Sequence, residues 1–113
     1  MSDKAKAAVE EAKKHLNTPV KWGGNNPSGF DCSGFVQYCY KQVGVDLPRE
    51  CSEQINKGKP ITQANLEIGD LVFPNPRKVG LYIGSGKFIH AIKVGDVVKI
   101  SNISSFYTGR RVA

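Results

Sequence analysis

Asp31-Cys32-Ser33-Gly34-Phe35 joins two kinds of sequence. Upstream, residues 17–29 hold Pro19, Gly23, Gly24, Asn25, Asn26, Pro27, Ser28 and Gly29, too many turn formers for regular structure. Downstream, Phe35, Val36, Cys39, Tyr40 and Val43 recur at helical spacing over residues 33–43, and Gly44 is a plausible stop. Cys32 therefore falls in the first turn of a helix with a buried face. Free backbone N–H groups and the helix dipole favour a thiolate there, so the position suits a nucleophile. It also suits a small packed residue, and the rest of the chain has to decide between the two.

Before this stretch, Ser2 or Asp3 can cap a first helix running to about Leu16, with Ala5, Ala8, Val9, Ala12 and Leu16 on one face. His15 near its end is read as a surface residue. Trp22 in the loop is either a core plug or the wall of a cleft. Beyond Leu47-Pro48-Arg49, a short helix is expected over residues 52–56. The second half then changes character: residues 71–73, 79–83, 87–92 and 97–101 read as strands separated by Gly, Asp or Pro turns. Helices followed by a meander with short connections imply an α+β fold with an antiparallel sheet.

The 113 residues, 40% of them hydrophobic, fit one domain spanning 1–113 with a core large enough to fold without staples. No run approaches the roughly 18 apolar residues of a membrane span, and the N-terminus leads into a charged helix with no visible signal peptide. Sixteen Lys and Arg against ten Asp and Glu favour anionic partners. The basic residues are scattered, with no aromatic-interleaved stripe, which argues against a nucleic-acid role. Cys32, Cys39 and Cys51 lack the spacing of a zinc site, and the two histidines lie far apart, so no metal or cofactor is expected. Cys39, seven positions after Cys32, is expected in the core. Cys51 is open to surface, core or cleft rim, and a monomer is the default.

Several stretches recur together in one order: Pro19-Val20-Lys21-Trp22-Gly23-Gly24, Asp31-Cys32-Ser33-Gly34-Phe35, Leu47-Pro48-Arg49, Ser52-Glu53-Gln54, Gly69-Asp70-Leu71-Val72-Phe73, Val79-Gly80-Leu81-Tyr82-Ile83-Gly84 and Phe88-Ile89-His90-Ala91. Their combination resembles the NlpC/P60 cysteine peptidases over nearly the whole chain. The resemblance implies a papain-like α+β fold, with N-terminal helices packed on the antiparallel sheet. It also implies a hydrolase that cuts peptidoglycan stem peptides between D-glutamate and the following diamino acid, acting on the cell wall. Cys32 is carried over as the nucleophile and His90 as the third polar member of a triad. Asp31 and Ser33 flank the substrate, and Trp22 and Arg49 are the further candidates for contacting it.

The resemblance breaks at one place: the family's base histidine precedes Val-Gly-Leu/Ile-Tyr, and this chain has Lys78 there. If Gly84-Ser85-Gly86 forms a three-residue hairpin loop, Ile83 pairs Lys87, Gly80 pairs His90, and Lys78 and His90 share a face. A two-residue turn would move His90 to the other face. Lysine, with an ordinary pKa of about 10.4, can stabilise a thiolate as a point charge but yields a proton poorly. Three readings follow: a working peptidase in which His90 is the acid and base, a homologue that binds wall peptides without cutting, or a lysine substituted for a natural histidine. Two smaller departures accompany it. Val20 stands where the family often has Tyr, and Cys51 where small hydroxyl residues are frequent.

Overall fold

The computed structural model describes residues 3–113. Three helices and eight strands follow one another as α1 (Asp3–Lys13), β1 (Asn25–Asn26), β2 (Gly29–Phe30), α2 (Cys32–Lys41), α3 (Cys51–Gln54), β3 (Lys59–Ile61), β4 (Leu71–Asn75), β5 (Lys78–Gly84), β6 (Lys87–His90), β7 (Lys99–Asn102) and β8 (Thr108–Arg111). β1 and β2 form a small ribbon in the loop before α2, and the other six make one sheet in the order β3-β8-β4-β5-β6-β7. Every ladder in it is antiparallel. The fold is the α+β arrangement read from the sequence.

Ala5, Ala8, Val9 and Ala12 are the buried residues of α1, so its stripe is small enough for close approach to α2. The helix is shorter than expected. It ends at Lys13, and Leu16 is 37% exposed beyond it. Ser2, one of the two candidate caps, lies outside the described residues. His15 is not a surface residue: its ring meets Phe30 and Tyr38 edge-on at 5.4 and 5.3 Å, and Nε2 lies 2.9 Å from Glu11 Oε2. Asn17, at a positive φ of 73°, turns the chain just after His15.

The central strands are buried over three consecutive residues each, 71–73, 79–81 and 88–90, and residues two apart share the face that meets α2. Leu71, Phe73, Val79, Leu81, Ile89 and Ala91 join Phe35, Val36, Cys39 and Tyr40 of α2 in one apolar cluster. Burying a large side chain of this kind contributes roughly 1.5–3 kcal/mol. Tyr40 also donates its hydroxyl to Gly69 O at 2.5 Å, a buried bond that fixes the register of α2 along β4. Cys39 is fully buried, as its helical spacing requires.

The β5–β6 hairpin differs from the expected loop yet reaches the expected register. Ser85 and Gly86, at φ 55° and 72°, form a two-residue turn closed by Gly84 opposite Lys87, where Ile83 was expected. The register then shifts between Tyr82 and Gly84, and this irregularity restores Tyr82 to Phe88 and Gly80 to His90. Gly80 is required there: a Cβ would stand 2.6 Å from Phe88 Cδ2 and 2.7 Å from Ile89 O. β3 and β8 were not foreseen. Pro60 sits in the edge strand β3, where a missing N–H is tolerated, and Thr108-Gly109-Arg110-Arg111 carries no strand pattern at all.

Candidate active site

Asp31 sets the entry to α2. Its backbone is extended at φ −94°, ψ 177°, and Oδ1 accepts from Gly34 N at 2.6 Å, the bond of an N-cap. Asp31 N in turn donates to Gly24 O at 2.8 Å, which folds the Gly/Pro-rich loop onto the helix start. Gly34 is the residue that permits this, since a Cβ would run into Gly24 O.

Arg49 closes the same corner from the segment before α3. Its two terminal nitrogens donate to Asp31 Oδ1 at 3.0 Å and Oδ2 at 2.7 Å, a two-point pairing, and to Ser33 Oγ at 3.1 Å. Asp31, Ser33 and Arg49 are thus joined to one another along one wall of a cleft of about 320 Å³, which Cys32, Cys51, Lys78 and Trp22 also line. Trp22 is no core plug. It is 91% exposed at the rim, with Val94 and Ile92 also in the lining.

Cys32 is buried at the base of this cleft, 9% exposed. Its thiol donates to Arg77 O at 3.7 Å, which sets Sγ against the chain just before Lys78. The thiol pKa is lowered to about 6. A hydrogen bond from Cys51 is the largest cause, followed by opposing burial, the Val79 N–H and the nearby Lys78 charge, with Asp31 acting in the opposite sense. A sulfur with such a pKa is largely thiolate at neutral pH.

Lys78 and His90 share a face, as the Gly80–His90 register requires, but they are not joined. Lys78 Nζ donates to Ile92 O at 3.0 Å. His90, 6% exposed, lies in a separate depression of about 380 Å³ with Phe88 and Ser101, and that depression shares Lys78 and Ile92 with the Cys32 cleft. Its Nε2 pairs with Ser101 Oγ at 2.8 Å, while the buried Nδ1 has no partner among the described residues. Burial, reinforced by the Lys99 charge and opposed by Asp96, pushes the imidazole down to about 4, so it is neutral at pH 7. The structure therefore brings Cys32, Lys78, Asp31, Ser33, Trp22 and Arg49 into one cleft and sets His90 beside it.

Gln54 was not singled out for a role, although Ser52-Glu53-Gln54 belongs to the motif pattern. It is fully buried and donates to Ser33 O at 3.0 Å and Pro48 O at 2.8 Å, tying α3 to the first turn of α2. A polar residue that follows the exposed Ser52 and Glu53 gives no period that marks it as buried. Among the described residues, no group of three or more His, Cys, Asp or Glu could hold a metal ion, and no helix is long and apolar enough to cross a membrane.

The model of the NlpC/P60 family matches residues 17–113. The chain belongs to that family. NlpC/P60 relatives include the murein DD-endopeptidase MepH of Escherichia coli (strain K12), 36% identical over 93% of this chain and 42% of MepH. The probable endopeptidase p60 of Listeria grayi is 44% identical over 86% of this chain and 19% of p60. The chain thus spans less than half the length of these curated relatives. Among solved structures, the NlpC/p60 domain of the peptidoglycan hydrolase SagA superposes with a TM-score of 0.90 at 36% identity, covering 96% of this chain and 98% of that one. The peptidoglycan hydrolase RipB of Mycobacterium tuberculosis gives 0.88 at 28% identity, covering 96% and 64%. The papain-like NlpC/P60 fold is therefore the fold of this chain. α1 lies ahead of the matched residues yet packs its alanine face on the matched helix α2.

Proposed function

We propose that this NlpC/P60 domain is a cysteine endopeptidase acting on peptidoglycan stem peptides, cutting between D-glutamate and the diamino acid. The observation that carries the reading is the Cys32 sulfur, held at the start of α2 in an open cleft with its pKa lowered to about 6. Asp31, Ser33, Trp22 and Arg49 are the residues proposed to receive the peptide. The thiolate attacks the scissile carbonyl carbon, and the Cys32 N–H at the helix start is placed to stabilise the oxyanion. The C–N bond then breaks, the amine leaves with a proton, and a thioester remains. Water then adds to the thioester carbonyl, the C–S bond breaks, and the second fragment leaves as a carboxylate with the thiolate regenerated; of the two protons water gives up, one replaces the proton taken by the amine and the other passes to solvent.

The proton for the departing amine is the demanding step. Lys78 is the ionisable group at the family's base position, and its ammonium is anchored to Ile92 O. A neutral His90 in the adjacent depression does not supply an imidazolium to the thiolate. This favours a second reading, in which the domain binds wall peptides, and acylates on them at most slowly, without efficient turnover.

One experiment separates the two. The purified protein is incubated with stem peptides, both single and cross-linked, because MepH carries the name DD-endopeptidase. The products are read by mass spectrometry, with Cys32→Ala as control. A fragment beginning with the diamino acid, absent in the control, supports the endopeptidase. Binding by calorimetry with no fragment supports the non-cutting reading, and neither binding nor cleavage overturns both.

A further inference from the structure

The β4–β5 hairpin brings an unpaired cation to the cleft. Asn75 pairs Lys78 across a two-residue turn made by Pro76 and Arg77. Three hydrogen bonds to its main chain seat that turn: Arg77 N donates to Asn75 Oδ1 at 2.8 Å, and the Cys32 and Cys51 thiols donate to Arg77 O and Pro76 O, each at 3.7 Å. Arg77 therefore stands at a fixed place beside the nucleophile. It is exposed and belongs to the lining of the Cys32 cleft.

The charges of that lining do not balance, since Arg49, Arg77 and Lys78 stand against Asp31 and Glu50. Asp31 and Arg49 neutralise each other through their 2.7 Å pair, and Lys78 Nζ is anchored to Ile92 O. Glu50, at the start of α3, acts on Arg49 and Cys51. The Arg77 guanidinium has neither a carboxylate nor another acceptor among the described residues.

We propose that Arg77 is a specificity-determining residue that receives a carboxylate of the bound stem peptide. The proposal rests on the peptide-binding reading of the cleft and deepens it. A planar guanidinium meets a carboxylate at two points, which adds direction to attraction. Two carboxylates flank the scissile bond of a stem peptide. D-glutamate joined through its side chain keeps its α-carboxylate, and a diamino acid of the diaminopimelate kind carries another at the end of its side chain, where lysine has none. The charges acting on the Cys32 sulfur are those of Lys78 and Asp31, so the Arg77 side chain can be changed without altering the thiolate.

The test is calorimetric binding of four synthetic peptides to the Cys32→Ser protein, which loses the nucleophile but keeps a donor for Arg77 O. The peptides combine D-glutamate or D-isoglutamine with diaminopimelate or lysine, and all end in a carboxamide, so one of them has neither carboxylate. Arg77→Gln should weaken binding about tenfold wherever the recognised carboxylate is present and leave the peptide with neither unchanged. A penalty that disappears with D-isoglutamine assigns the α-carboxylate, and one that disappears with lysine assigns the side-chain carboxylate. Arg77→Lys keeps the charge without the two-point geometry and should recover part of the loss. An equal loss on all four peptides, no loss on any, or no binding of any overturns the proposal. Alkylation of Cys32 by iodoacetamide, followed against pH with Cys32 intact, checks that the turn has stayed in place: Arg77→Gln should keep the midpoint of the unsubstituted protein, and a shifted midpoint overturns the proposal as well. Cleavage is scored separately, also with Cys32 intact. Carboxylate discrimination without a fragment leaves this inference standing and removes the endopeptidase reading, whereas fragment release without discrimination does the reverse.

Discussion

Lys78 and His90 lie on the same face of the β5–β6 ladder with no hydrogen bond between them. Each has turned elsewhere, Lys78 to Ile92 O and His90 Nε2 to Ser101, and the buried Nδ1 of His90 is left without a partner among the described residues. An unsatisfied buried nitrogen carries a desolvation cost of about 1–3 kcal/mol, so its persistence marks a place where a second polar group would fit.

Lys78→His is therefore expected to raise kcat/KM on stem peptides by about 100-fold or more, the usual scale of a placed general acid and base. The imidazole has a proton to give near neutral pH and can meet His90 Nδ1 on the shared face. Initial rates of fragment release measure the effect. An unchanged rate would show that another group already moves the proton.

Replacing the charge without restoring the imidazole should act on the thiol instead. The Lys78 ammonium lowers the Cys32 pKa, so Lys78→Met is expected to raise the alkylation midpoint above that of the unsubstituted protein. The direction follows from the sign of the charge: loss of a cation penalises the anion. Thiolate absorbance at 240 nm across a pH titration provides an independent reading.

His90 should make the fold acid-sensitive in a particular window. Its folded pKa is lowered to about 4 from an ordinary 6.5, so between these values the unfolded chain binds the extra proton. Stability from this residue is accordingly intact above pH 6.5 and declines as pH falls towards 4. Urea midpoints at pH 7, 5.5 and 4 should fall in order, and His90→Gln should flatten that decline. Equal slopes in the two proteins would contradict the buried, neutral imidazole.

Asp31 bears on both stability and binding. Asp31→Ala removes the α2 cap and strands Arg49, with an expected loss of about 1–3 kcal/mol in chemical denaturation. Asp31→Asn keeps an oxygen for Gly34 N and should lose less. Both variants should bind stem peptides more weakly in calorimetry, since the wall that presents Ser33 and Arg49 is built on that carboxylate.

The fold was readable where periodicity was strong. The apolar runs bounded by turn residues at 79–83 and 87–92 mark two central strands, and the helical stripe from Phe35 to Tyr40 marks the helix face that packs with them. β8 was not readable, because its place between β3 and β4 is set by partners rather than by its own polar residues. In the site, Cys32 and Lys78 followed from motif order. The separation of His90 from the cleft did not, since register tells which residues share a face but not where a lysine's four methylenes carry its charge. Cys51 was left open to surface, core or cleft rim, and it lines the cleft with Cys32; the Gln54 bond to Ser33 O that ties α3 to α2 leaves no pattern in the sequence.

The sulfur of Cys32 bonds a main-chain atom, Arg77 O, rather than the side chain of residue 78. Exchange at that position leaves the seat of the nucleophile in place and changes only the traffic of protons across it. On the proposed function, such a domain would pass between cutting a peptide and merely holding it by a single substitution, without refolding, and back by the same route.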